Sequence, residues 1–242
     1  MLLFYQMEVG IVEEKYISIA FSDSLKDEVI DSVSELTEVG IDSIMDEGLL
    51  KEVPLLSTAI AIYKIGHSIK DRHNLKKLAI FLDEINKSIV SEEKRMKYQR
   101  KFRENSNFRN REIEYILVLI DRYVSYDKPK MLAKLYMAYF DGEIAWEEMI
   151  MYAEIIDRFI LLDYNTLISD SNRFVVHKNV GGEAILRLVA LGLMTEVTSK
   201  SPFEEHSNGG IGMTWNSLLQ FQTEDRVYQR TEFGDKLALI LR

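Results

Sequence analysis

Cysteine is absent from the 242 residues, so neither a disulfide framework nor a thiolate-bound zinc centre can be built from this chain. Proline occurs three times and glycine twelve. With so few breakers, long runs can stay helical, and a mainly α fold is expected. The first residues, "MLLFYQMEVGIVEEK", lack a basic leading region, and Glu8 interrupts their apolar run. That is not the pattern of a signal peptide, and a cytoplasmic protein is expected. Motifs with a defined chemistry are missing as well. There is no HExxH pair, no phosphate-binding glycine loop and no GxSxG elbow. No catalytic residue, metal or cofactor is therefore expected.

Three fragments approach a chemical motif and fall short. "DGEIAWEE", Asp141 to Glu148, resembles half of an EF-hand and the acidic turn of tellurite-resistance-type helical domains. A calcium loop needs oxygen ligands before Asp141, but Tyr136 to Phe140 supply none. A helix–helix turn, with Gly142 at the bend and acids at the next helix start, is the better reading. "RFVVH", Arg173 to His177, resembles the Arg–His pair of HEPN ribonucleases but is one residue too short. Glu92-Glu93-Lys94 contains the E-x-K of restriction-type nucleases, yet a helical setting makes those side chains diverge. The histidines, His67, His73, His177 and His206, form no close pair. His67 reads as a core histidine.

What is present is an ordinary globular composition, 47% hydrophobic and 29% charged, with a net charge of −9. The charge is uneven. Residues 1–50 carry twelve acids against Lys15 and Lys26, whereas residues 87–111 carry nine basic residues against Glu92, Glu93 and Glu104. "YISIAF", Tyr16 to Phe21, is β-prone and is expected as a short strand or extended arm. An acidic amphipathic helix should follow to Gly48, capped by Ser22 or Ser24. Beyond the apolar stretch come a basic helix, a polar loop near Asn105 to Asn110 and an apolar-faced helix. Two more helices follow, joined at Asp141-Gly142. From about Asp163 the texture changes, which sets expected domains of 1–163 and 164–242.

The stretch "LLKEVPLLSTAIAIYKIGHSIKDRH" (Leu49 to His73) raises a choice among core, membrane and partner helix. Crossing a bilayer takes roughly 20 apolar residues. The uncharged part, Val53 to Tyr63, is shorter than that, and Lys64 and His67 follow. A helix from Pro54 through Ile69 would place Leu56, Ile60, Tyr63 and His67 on one side. Its all-round apolar character favours a buried core helix, ahead of membrane insertion and partner binding.

"KRMKYQRKFRENSNFRNR" interleaves cations with Tyr98, Phe102 and Phe108. Lys94, Arg95, Lys97, Arg100, Lys101 and Arg103 are thus candidate contacts for nucleic acid or another anionic partner, with the aromatics available for stacking. A solvated charged helix is the simpler account.

Two resemblances bear on the whole. Leu191-Gly192-Leu193, and Tyr228-Gln229-Arg230-Thr231-Glu232-Phe233-Gly234 entering a last helix, resemble winged-helix proteins. Arg230 stands where that family usually has Leu, and the segment between the two motifs exceeds a typical wing. "GGEAILRLVAL" would be the recognition helix, but it offers only Arg187 and Glu183, so a structural or protein-binding module is implied before a DNA reader. Residues 52–85 with 133–158, which include "AYFDGEI", resemble uncharacterised bacterial and mobile-element proteins suspected of roles in phage conflict.

The expected protein is thus a helical bundle followed by a small α+β winged-helix-like domain. It is expected to be a non-enzymatic protein-interaction component, in phage defence or its evasion, able to form a homo-oligomer. The alternatives are a winged-helix nucleic-acid-binding regulator and a membrane-active toxin effector using residues 53–69.

Overall fold

The computed structural model describes residues 17–26, 53–63, 68–89, 91–104, 106–176, 182–197 and 226–242. They are mainly helical, with one small antiparallel sheet. The chain divides into two compact units, Met1–Asp157 and Arg158–Arg242.

In the first unit, residues 17–24 are helical (α1), not an extended arm. Ile17, Ala20, Phe21, Ser24 and Leu25 are all buried, and they recur at helical spacing. That packing stripe outweighs the β-propensity of the individual residues. Ser22 and Ser24 lie inside α1 and so start no helix. Ser24 instead donates to the Ala20 carbonyl and accepts from Leu55 N–H, tying α1 to α2 (Pro54–Tyr63). The remainder of the expected acidic helix lies outside the described residues.

α2 opens on Pro54, where a missing N–H costs nothing. The expected helix through Ile69 does not form. Ser68 has extended backbone and caps a new helix, α3 (Ile69–Ser88), through a reciprocal box with Asp71. α4 (Glu92–Glu104) starts under the Ser91 hydroxyl, which accepts from Lys94 N–H. α5 (Ser106–Arg122) begins where a loop to Asn110 was expected. Asn110 is fully buried and accepts from Ser18 N–H at 3.0 Å, so tertiary packing holds this polar stretch in a helix. α6 (Asp127–Asp141) ends at Gly142, whose φ of 85° is left-handed. α7 (Trp146–Arg158) follows, with Glu148 accepting from Ala145 N–H. The Asp141–Ala145 segment is thus a helix–helix turn.

α3 packs chiefly on α6. Between the helices lies an aromatic core of Phe21, Phe81, Phe102, Tyr136 and Phe140, in which Phe102 and Phe140 stack at 4.8 Å. Lys77 is also buried. Its ammonium donates to the carbonyls of Ile120, Asp121 and Tyr123, capping the C-terminal end of α5, where the helix dipole favours a cation.

The second unit opens with a 3-10 turn (Leu161–Asp163) and a short helix, α8 (Tyr164–Leu167). β1 (Arg173–Val176), α9 (Glu183–Ala190), β2 (Met194–Val197), β3 (Arg226–Arg230) and α10 (Glu232–Leu241) follow. β3 is central and antiparallel to both neighbours, pairing Gln229 with Arg173 and with Thr195. Gly192, at φ 73°, turns α9 into β2. Thr231 caps α10 by accepting from Gly234 N–H. A Cβ at Gly234 would collide with the Leu193 carbonyl.

Candidate interaction surface

Along α4 the apolar residues Tyr98 and Phe102 sit one turn apart and are 1% and 2% exposed. They anchor the helix to Phe140, at ring separations of 4.8 Å each. Neither is available to stack on a base, so two of the three expected stacking residues are withdrawn into the core. Phe108's side chain lies outside the described residues.

This anchoring divides the six candidate cations. Lys94 and Lys101 flank the buried stripe and turn inward. Lys94 pairs with Asp141 at 3.2 Å. Lys101 donates to the Phe140 carbonyl at 3.0 Å and sits over the Phe140 ring. Burial, with Lys97 and Arg109 nearby, lowers the Lys101 pKa. The Arg95 side chain is largely buried and meets Glu92. Lys97, Arg100 and Arg103 remain exposed, Arg100 near Glu104 and Arg103 near Asp23.

The outer face of α4 therefore carries Lys97, Arg100 and Arg103 against Glu92, Glu93 and Glu104. Met96, 56% exposed, lies among them. A shallow groove runs beside Ser91, Glu93, Lys94, Met96, Lys97 and Arg100. Three of the six candidate cations thus turn inward, and the charges on the outer face of α4 are balanced. Sequence reasoning passed over Met96, yet the i, i+4 pair Tyr98 and Phe102 fixes the buried side and so places Met96 opposite.

The other candidate residues lie on α2. Leu56 is fully buried, with Val53, Leu55 and Ala59 beside it. Ile60 is half-buried and Ala61 exposed, so α2 has one core face and is not apolar-packed all round. The Tyr63 side chain and His67 lie outside the described residues. Among the described residues, no helix is long and apolar enough to cross a membrane.

In the second unit, Arg187 is held by the buried Asp163 through two hydrogen bonds, at 2.8 and 2.6 Å. The exposed positions of α9 are Glu183, Leu186 and Ala190. His177 and His206 lie outside the described residues, whereas His73 contacts the Tyr126 hydroxyl and the Val124 carbonyl. Scans against protein-family models, curated proteins and solved structures find no match to this chain.

Proposed function

We propose that this chain is a non-enzymatic, cytoplasmic interaction protein that engages a protein partner through the outer face of α4. The observation that carries this reading is the charge balance there: three cations, three carboxylates and an exposed Met96. Such a face suits the mixed charges of another protein. A phosphate backbone calls for an uncompensated row of cations and rewards aromatic stacking, and here Tyr98 and Phe102 are buried. The resemblance of residues 52–85 and 133–158 to mobile-element proteins suggests phage defence or its evasion as the setting.

For the second unit, the strand order β1–β3–β2 and the entry into α10 through Gly234 support a winged-helix-like reading. With Arg187 occupied by Asp163, α9 fits a structural or protein-contacting role before a DNA-reading one.

The test is light scattering after size exclusion, with the protein alone, with duplex or single-stranded oligonucleotide, and with anionic liposomes. A photo-crosslinker at Met96, with one at Leu239 as control, identifies the contact. The expected result is no added mass from oligonucleotide or liposomes at near-physiological salt, and protein captured from Met96 alone. That protein is either a second copy or another chain. Salt-sensitive oligonucleotide binding, lost on replacing Arg100 and Arg103 with Glu, would replace this reading with the regulator. Liposome binding would favour the membrane effector.

A further inference from the structure

A buried polar cluster lies beneath α4. Glu112, on α5, is 2% exposed. Its Oε1 accepts from the Tyr139 hydroxyl at 2.6 Å. Its Oε2 has no hydrogen-bond partner and lies 3.9 Å from Arg109 Nη1, too far for a hydrogen bond. Arg109 Nε and Nη1 are likewise unpartnered. The guanidinium lies against the rings of Phe102 and Phe140, at 5.3 and 4.8 Å from their centroids. The Tyr136 hydroxyl is close enough to Glu112 to feel its charge but forms no well-aligned hydrogen bond.

Carboxylate and guanidinium are therefore within ion-pair range at 3.9 Å but have not closed to a hydrogen bond. The arrangement suits a neutral carboxyl, with the cation resting on aromatic faces. Ionising Glu112 would leave a buried charge with one oxygen unsatisfied, which is costly unless Arg109 moves in. Closing from 3.9 Å to hydrogen-bond distance would shift Arg109 on the faces of Phe102 and Phe140. Phe102 is an anchor of α4, and Lys101 of α4 shares the Phe140 ring.

We propose that Glu112 is a proton-operated latch, whose ionisation pulls Arg109 toward the carboxylate, shifts it on the Phe102 and Phe140 rings and so loosens the seat of α4. The ionisable groups acting on Glu112 are Arg109 from its own helix and Tyr139 and Tyr136 from α6. From α4 the neighbouring side chains, Phe102 and Lys101, meet Arg109 or the ring it rests on. Glu147 of α7 acts on Tyr139 in turn. Burial is the first cause that raises the Glu112 pKa, with Tyr139, Arg109 and Tyr136 opposing it.

The sign of the pH effect follows. A carboxyl with a raised folded-state pKa favours the fold below its ordinary range, and that advantage is lost as pH rises through the raised value. Glu112→Gln keeps the Tyr139 contact without the charge.

Carboxyl-carbon and amide NMR on the whole protein across a pH series tests the latch. In the wild type, the Glu112 carboxyl should titrate above the ordinary range, and the Lys101 and Phe102 amides should shift with the same midpoint. In Glu112→Gln those amides should stay still, and the variant should gain thermal stability relative to wild type as pH rises. Arg109→Gln should leave the carboxyl titrating while the α4 amides no longer follow it. An ordinary Glu112 midpoint in the wild type, which requires no variant to fold, overturns the proposal. So do α4 amides that stay still while Glu112 titrates, or that titrate unchanged in Glu112→Gln.

Discussion

Arg230 is the side chain on which the second unit turns. It is 7% exposed, and its Nη1 donates to the carbonyls of Leu167, Ser169 and Ser171, while Nε meets Asp235. Replacing it with the Leu usual in winged helices keeps an apolar stem but strands the buried Leu167 carbonyl, while Ser169 still accepts from Arg242 and Ser171 is exposed. Each buried acceptor left unpaired costs roughly 1–3 kcal/mol. Arg230→Leu should therefore destabilise the unit by roughly 1–3 kcal/mol, seen as a lowered thermal midpoint. A melt equal to wild type would mean water replaces the guanidinium. The sequence marked Arg230 only as a departure from a pattern. What it holds comes from residues some sixty positions earlier, and no local rule connects them. Asn110 was misread for the same reason: its burial depends on Ser18, 92 residues away.

At the scale of the element, α4 gives the clearest contrast. Arg100 and Lys101 are adjacent cations with opposite environments. Arg100→Glu alters a solvated side chain near Glu104 and should change stability by no more than about 0.5 kcal/mol. Lys101→Glu removes the donor to the Phe140 carbonyl and sets a carboxylate against it, at a cost of about 2 kcal/mol or more. Chemical denaturation of the two variants measures the difference, and equal midpoints would mean Lys101 is not seated. Helix identity was legible for α4 to α7, because periodic apolar residues and Gly142 declare themselves. Two ends were not. The 53–69 stretch looked continuous because its apolar content hides Ser68, whose box with Asp71 starts a helix. α1 looked extended because Tyr16 to Phe21 is rich in β-formers, while the stripe that overrides them continues to Leu25. The basic segment was visible, but its division into inward and outward cations required knowing which side Tyr98 and Phe102 bury.

For the whole molecule, the division into Met1–Asp157 and Arg158–Arg242 predicts separable responses to damage. Gly234→Ala forces a methyl into the Leu193 carbonyl, and overpacking of this kind costs roughly 1–3 kcal/mol. Amide exchange should accelerate through β1–β3 and α10 and stay unchanged in α3 and α6. Uniform acceleration would show that the two units unfold as one. The change of texture near Asp163 was legible as a shift from helical periodicity to short, turn-rich segments. The sheet order was not, since pairing partners lie far apart in the chain.

That sheet order also bears on how the protein is made. The central strand, β3, is the last of the three to leave the ribosome. Until residues 226–230 emerge, β1 and β2 lack the strand with which both pair among the described residues, and the turn at 167–171 lacks the guanidinium of Arg230 that gathers its carbonyls. The first unit can be complete while the second waits with two unpaired strands, the condition in which nascent chains associate with one another. A pause in translation between residues 197 and 226 would prolong that exposure, so synthesis speed over this interval should govern how much of the product stays in solution.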